Sequence, residues 1–152
     1  MPKAQQSDSA RIGADVVEAF NQSDWGRLRA CLSDTVIYEE TGTGRRVTGA
    51  DDYVDLCRGW KQAFADVAGT IQRSVANDDV AALEIVWEGT HTGPLTGPGG
   101  TIPPTGRRSP VPATMWVETS GGKVKRVRHH LDMLGLLQAI GAMPQPAGAG
   151  AG

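Results

Sequence analysis

Four segments with the composition of β-strands follow one another in the second half of the chain. They cover residues 67–76, 80–93, 109–120 and 123–132 and are rich in Val, Ile and Thr. Asn77-Asp78-Asp79 joins the first pair, and Gly121-Gly122 joins the last pair. Because turns this short cannot carry a crossover connection, the sequence predicts that these strands pair in antiparallel fashion.

The first half of the chain is mainly helical in its pattern. Ile12, Val16 and Phe20 recur at helical spacing within residues 10–24, and a similar apolar stripe runs along residues 50–66. Shorter helices are predicted over residues 25–33 and 133–143, with a short strand over residues 35–40. Helices that precede an antiparallel sheet indicate an α+β fold. In this fold we expect the curved sheet to wrap around the N-terminal helices and enclose a central pocket.

The length of 152 residues is that of one domain. We place this domain at residues 9–143, between two ends predicted to be disordered, residues 1–8 and the Gly/Ala/Pro-rich residues 144–152. The segment 93–106 joins two of the predicted strands and contains five glycines and four prolines. Such a composition predicts a long loop without strands of its own, which would form a mobile rim over the pocket.

Charge and motif content exclude several classes of protein. The 15 basic and 17 acidic residues leave a net charge of −2, so the chain lacks the basic excess of a nucleic-acid-binding protein. No apolar run is long enough to span a membrane, and the first ten residues lack the apolar core of a secretory signal. Cys31 and Cys57 belong to no metal or redox motif, which predicts a cytoplasmic protein with reduced thiols.

The segment 127–132 holds the most informative polar residues. Strand alternation places Arg128, His130 and Asp132 on one face and Val127, His129 and Leu131 on the other. Since the adjacent histidines point to opposite faces, they are not expected to bind one metal ion. Asp132 ends the strand before an apolar helix, where partial desolvation would raise its pKa and suit it to proton transfer. Aspartate is also a favoured helix N-cap, so both roles remain open.

His91 follows an apolar face formed by Leu83, Ile85 and Trp87. It is therefore expected to be buried at the pocket end of this strand, either as a hydrogen-bonded core residue or as a catalytic group. The tryptophans Trp60, Trp87 and Trp116 suit a core as well as the apolar wall of a ligand pocket.

Four runs together resemble the SnoaL-like polyketide cyclases of the nuclear transport factor 2-like superfamily. They are WKQAFADV, WEGTHTGPL, PPTGRR and GGKVKRVRHHLDMLGLLQAIGA, and the resemblance extends over about residues 8–143. It implies a cone-shaped α+β domain. It also implies a cyclase that closes a ring in a polyketide-like substrate by intramolecular aldol condensation, with neither metal nor organic cofactor.

The resemblance also implies roles for individual residues. The family's acid/base aspartate falls on Asp132, and the histidine that bonds substrate oxygens falls on His91. The residues predicted to bind substrate are His130, Arg128, Trp87, Trp60 and Tyr38. Because Arg128 and His130 stand where the family often has aromatic residues, a more polar pocket than usual is expected.

Two other functions fit the same pattern. One is a different small-molecule enzyme on this fold, such as an isomerase, an epoxide hydrolase or a hydroxylation partner. The other is a non-catalytic module that binds a hydrophobic ligand. The resemblance further implies a homodimer or homotetramer, and Trp116 is expected on the outer sheet face where two copies would meet.

Overall fold

The computed structural model describes residues 8–97 and 99–143, which form four helices and eight strands. The helices are α1 (Asp8–Asn21), α2 (Trp25–Cys31), α3 (Ala50–Ala63) and α4 (Met133–Ala139). The strands are β1 (Leu32–Glu40), β2 (Arg46–Thr48), β3 (Ala68–Ala76), β4 (Val80–Thr90), β5 (Leu95–Gly97), β6 (Gly100–Ile102), β7 (Arg108–Ser120) and β8 (Lys123–Leu131). The ends predicted to be disordered lie outside the described residues, except for Asp8, at which α1 begins.

Six strands form one sheet in the order β2-β1-β8-β7-β4-β3. The four strands predicted in the second half of the chain are confirmed as β3, β4, β7 and β8, and they pair in antiparallel fashion. The sheet as a whole is mixed, because β1 lies parallel to β8. A parallel pair is possible there since most of the chain separates these two strands. Shifts of register in β1/β8, β3/β4 and β7/β8 bend the sheet.

The helices α1 and α3 bury their apolar faces against the inner face of this sheet. Ile12, Val16 and Phe20 of α1 are buried, as the helical spacing predicts. Gly13 allows α1 to approach β4 closely, since a Cβ atom there would lie 3.0 Å from Cδ1 of Leu83. This packing of helices on one face of a sheet confirms the α+β prediction. In the described part of the chain, no helix is both long and apolar enough to cross a membrane.

A second, smaller apolar cluster closes one end of the fold. It consists of Ala63, Phe64, Leu95, Val111, Leu136 and Ile140. The helix α4 contributes Leu136 and its C-cap is Ile140, so this cluster holds the helix in place. Its N-cap is Asp132, whose side chain accepts a hydrogen bond from the Gly135 amide.

The Gly/Pro-rich segment differs from its prediction. It contains the small antiparallel hairpin β5–β6, and Leu95 of this hairpin is buried in the second cluster. The amides of Thr92 and Gly93 also donate to the carbonyl of Ala63, both at 3.0 Å. Gly93 and Pro94 precede the hairpin, and Pro103 and Pro104 follow it, so they do not interrupt its pairing. Leu95 and the partly buried Ile102 pack the segment against the second cluster.

Candidate functional site

A cavity lies between the helices α1 and α3 and the inner face of the sheet, and its empty volume including the mouth is about 750 Å³. Apolar and aromatic side chains form most of its wall. Its aromatic members are Phe20, Tyr38, Tyr53, Trp60, Phe64 and Trp87. The composition of the wall is that of a site for a small, largely apolar organic molecule.

Alternation along β1 brings a polar pair to the inside of the fold. Val36, Tyr38 and Glu40 share the inward face of this strand and are all buried. The Tyr38 hydroxyl lies 2.6 Å from Oε2 of Glu40 and 2.8 Å from Nδ1 of His129, which comes from β8. The strands β1 and β8 therefore together build a buried polar cluster beside the cavity.

Glu40 is only 1% exposed, and its carboxylate is surrounded by donors. The Trp60 indole donates to Oε2 at 2.8 Å, while Thr43 and Arg45 donate to Oε1 at 2.7 and 3.0 Å. Burial raises the pKa of a carboxyl group, but Arg45 and the donated hydrogen bonds outweigh it and hold the pKa of Glu40 below its ordinary value. Glu40 is thus an ionised carboxylate inside the fold at neutral pH.

His129 lines the cavity, and its imidazole is buried. Burial lowers its pKa to about 4, even though the nearby Glu40 carboxylate acts in the opposite direction. The Trp87 indole donates to its Nε2 at 3.0 Å. Gly69 pairs with Trp87 in the sheet, and a Cβ atom there would overlap the indole, so this glycine gives the tryptophan its space.

Three of the residues predicted to bind substrate line this cavity. They are Tyr38, Trp60 and Trp87, and they come from β1, α3 and β4. Their polar atoms belong to the same cluster as Glu40 and His129. The structure thus brings these aromatic side chains together around one polar patch in an apolar wall.

Arg128 and His130 lie elsewhere, and their predicted position in the pocket is wrong. Both are exposed on the outer face of the sheet, where Arg128 lies 3.8 Å from Glu39 and His130 lies 3.2 Å from the Thr41 hydroxyl. The predicted alternation of β8 is correct, but its other face is turned inward. Val127 is fully buried on that inner face with His129, and the burial of this apolar residue decides which face meets the helices.

Asp132 is exposed, and the prediction that it is desolvated in the pocket is wrong. Its carboxylate accepts from the Gly135 amide at 2.9 Å, as an N-cap does at the start of a helix. Its neighbours Leu131 and Met133 line the cavity, whereas Asp132 does not. The carboxylate therefore lies next to the cavity wall but on its solvent side.

His91 is fully buried, as predicted, but it does not line the cavity. Its ring stacks on Phe64 with 5.2 Å between centroids, and its Nδ1 accepts from the Thr105 amide at 3.2 Å. Burial lowers the pKa of His91, an effect that the backbone of Gly93 opposes. Its Nε2 has no hydrogen-bond partner among the described residues. These contacts join the end of β4 to the segment before β7, so His91 has a structural role at this position.

Glu40 and His129 were not among the residues expected at the site. The signal for Glu40 was the alternation of Val36, Tyr38 and Glu40, which places the carboxylate on an otherwise apolar face. The signal for His129 was the same alternation with Val127 and Leu131. Within the described ranges, no group of three or more His, Cys, Asp or Glu side chains is arranged to hold a metal ion.

The comparisons with known proteins agree with this geometry. The model of the SnoaL-like polyketide cyclase family matches residues 11–140. Among solved structures, AclR of Streptomyces galilaeus, a proposed hydroxylase, is 25% identical at a TM-score of 0.76, over 91% of this chain and 83% of that one. IdmH of Streptomyces antibioticus, a proposed polyketide cyclase, is 23% identical at a TM-score of 0.74, over 88% and 98% of the two chains.

A third solved structure, a proposed SnoaL-like polyketide cyclase of Jannaschia sp. CCS1, is 17% identical at a TM-score of 0.78, over 94% of this chain and all of that one. At 17% and 23% identity, the likeness to the Jannaschia protein and to IdmH establishes the fold alone. No curated protein matches the sequence.

Proposed function

The chain belongs to the SnoaL-like polyketide cyclase family, and we propose that it is an enzyme that closes a ring in a polyketide-like carbonyl compound by intramolecular aldol condensation. The observation that carries this proposal is the cavity itself. Its wall is mostly apolar. Trp87, His129 and Tyr38 meet in one hydrogen-bonded polar patch of this wall, and Glu88 and Ser109 also line the cavity. An apolar substrate with several oxygens would be oriented by such a patch.

The proposed reaction needs one acid/base group and a folded substrate. A carboxylate removes a proton from a carbon that lies between two carbonyl groups, and the resulting enolate carbon attacks a second carbonyl carbon of the same molecule. The new alkoxide then takes the proton back from the carboxylic acid, so no atoms are gained or lost. The cavity contributes by holding the two reacting carbons close together, which lowers the entropic cost of ring closure.

We propose Asp132 as this acid/base group. Its place in the sequence matches the family aspartate, and its two neighbours Leu131 and Met133 line the cavity. The reacting carbon would then lie at the mouth, within reach of the Asp132 carboxylate. A substrate that covers the mouth would exclude water from this carboxylate, and a carboxylate that has lost its hydrating water is a stronger base.

Asp132→Asn tests this assignment. Asparagine caps a helix about as well as aspartate but cannot take up the proton, so we expect ring closure to slow by roughly 10²-fold or more while stability is kept. The assay follows a linear 1,3-diketone whose chain carries a third ketone as the carbonyl that is attacked. The aldol adduct then loses water to give a conjugated cyclohexenone, which is detected by its absorbance. Asp24→Asn is the matched control, because Asp24 caps α2 in the same way and does not line the cavity. Unchanged turnover in Asp132→Asn would exclude Asp132 as the acid/base group.

A second candidate function is a non-catalytic module that binds a hydrophobic ligand. The exposure of Asp132 and its role as the cap of α4 favour it, because these features give the carboxylate a structural purpose. The same assay separates the two functions. A protein that binds the diketone without converting it at all is a binding module.

We further propose that the protein is a cytoplasmic homo-oligomer, dimeric or tetrameric, that pairs through its outer sheet face. Trp116 is 45% exposed on this face, and aromatic residues are enriched in protein interfaces. The free thiols of Cys31 and Cys57 are consistent with a reducing compartment. Light scattering is expected to give at least twice the 16.0 kDa mass of the chain, and Trp116→Lys to return it to the monomer. A monomer at micromolar concentration would contradict this proposal.

A further inference from the structure

The hydrogen bonds of the buried polar cluster run in one direction. At one end, the Trp87 indole is a donor only, so Nε2 of His129 must accept from it. At the other end, the ionised Glu40 carboxylate is an acceptor only, so the Tyr38 hydroxyl must donate to it. The hydroxyl hydrogen is thereby engaged, which leaves the Tyr38 oxygen as an acceptor for Nδ1 of His129. Trp87 at one end of this series of hydrogen bonds and Glu40 at the other therefore fix the position of every proton between them.

We propose that Glu40 and Tyr38 are positioning residues that hold His129 with its proton on Nδ1, and that the cavity thereby presents Nε2 as an acceptor that selects a substrate bearing an enolic or phenolic hydroxyl. This inference depends on the proposed function in one respect, which is the class of molecule that binds in the cavity. The proton positions themselves are a property of the resting protein.

A hydroxyl group is the substrate group that fits between Trp87 and His129. Its oxygen accepts from the indole N–H, and its hydrogen donates to Nε2, so both protein groups stay bonded when their direct contact of 3.0 Å opens. A ketone oxygen satisfies the indole but leaves the Nε2 lone pair facing another lone pair. Since an unpaired polar atom in an apolar wall is costly, the site discriminates against the ketone.

The charges around His129 favour this arrangement. The carboxylate of Glu40 is already neutralised by Arg45 at 2.8 Å, so it holds Tyr38 in place without needing the imidazole to be charged. The residue paired with His129 on β7 is Met115, and Trp87 faces it from β4, so neither contributes a charge. From α3, Tyr53 and Cys57 meet the cluster as neutral groups, because burial raises the pKa of both.

Nitrogen NMR of the full chain labelled in histidine tests the proton positions directly. In the resting protein, we expect Nδ1 of His129 to give the shift of a protonated ring nitrogen and Nε2 that of an unprotonated one. Tyr38→Phe removes the acceptor for Nδ1, so this variant is expected to show a mixture of the two tautomers. Thr119→Val is the control, because Thr119 is also a buried hydroxyl residue but donates to the Asp79 carbonyl outside the cavity. A proton on Nε2 in the unaltered protein would overturn the proposal.

Calorimetric titration with naphthol and with its methyl ether tests the selection, because these two probes differ in one O–H group. We expect the unaltered protein and Thr119→Val to bind naphthol about tenfold more tightly than the ether, which is the contribution of one hydrogen bond to affinity. In Tyr38→Phe, and in Glu40→Gln as a second variant, the ratio is expected to fall towards one. Equal binding of the two probes by the unaltered protein would contradict the inference.

Neither measurement requires turnover. A protein that shows the tautomer and the preference for naphthol but cyclises no diketone would refute the proposed cyclase function and leave this inference standing. Conversely, ring closure with equal binding of the two probes would refute only the inference.

Discussion

Substitution of Glu40 by alanine is expected to lower the free energy of unfolding by roughly 4 kcal/mol, because it breaks a buried ion pair on one side. The Glu40 carboxylate accepts from Tyr38, Thr43, Arg45 and Trp60, and alanine leaves all four without their acceptor. Arg45 is partly exposed and regains water, but the Tyr38 hydroxyl lies in the fully buried part of the cluster. Urea denaturation at neutral pH measures the change through the midpoint of unfolding.

Glu39→Ala is the matched control, since Glu39 is the preceding residue on the same strand and faces outward. Its carboxylate pairs with Arg126 at 2.6 Å, but both side chains are about one third exposed. A solvent-exposed ion pair of this kind contributes little to the free energy of unfolding. If both substitutions lower the free energy of unfolding by the same small amount, the buried cluster around Glu40 does not stabilise the fold.

Acidification is expected to destabilise the protein through His129. Burial lowers the pKa of this residue to about 4, whereas a histidine in an unfolded chain titrates near about 6.5. Between these two values the unfolded chain binds a proton that the folded chain does not. The free energy of unfolding therefore falls as the pH falls through this window, by roughly 3 kcal/mol in total, and His129 adds no further loss below pH 4.

Urea denaturation at a series of pH values measures this loss, and His129→Gln removes the part that belongs to His129. The difference between the two curves is the relevant quantity, because His91 is also buried with a lowered pKa and acts in the same direction. Three carboxyl groups also have lowered pKa values, so their protonation at low pH further reduces the free energy of unfolding in both proteins. They are Glu39, Glu40 and Asp66. An equally steep curve in His129→Gln would show that His129 is not the cause.

Local patterns predicted most of the fold. Helical spacing marked α1 and α3, and strand composition with short turns marked β3, β4, β7 and β8 and their antiparallel pairing. The assignment to the SnoaL-like family, made from four short runs, is confirmed. The parallel pairing of β1 with β8 was not predictable in this way, because it depends on which sheet edge is free when a strand returns from far along the chain. The hairpin β5–β6 was missed because its composition is that of a loop, and one buried residue, Leu95, decides its position.

The residues of the site also fall into two groups, those that the sequence predicted and those that only the structure identified. The sequence by itself determined which residues share a face, since alternation along a strand is a local property of the backbone. It also supplied the aromatic residues Tyr38, Trp60 and Trp87 that the cavity uses. Only the tertiary structure decided that the face of β8 with His129, and not the one with Arg128 and His130, meets the helices. Likewise it completed the buried cluster at Glu40. Donors close in the sequence are supplied by β1 and the turn after it, but Trp60 of α3 and His129 of β8 reach the cluster only in the folded protein. The physical reason is that desolvation and hydrogen bonding depend on neighbours that are distant in the sequence and close in space.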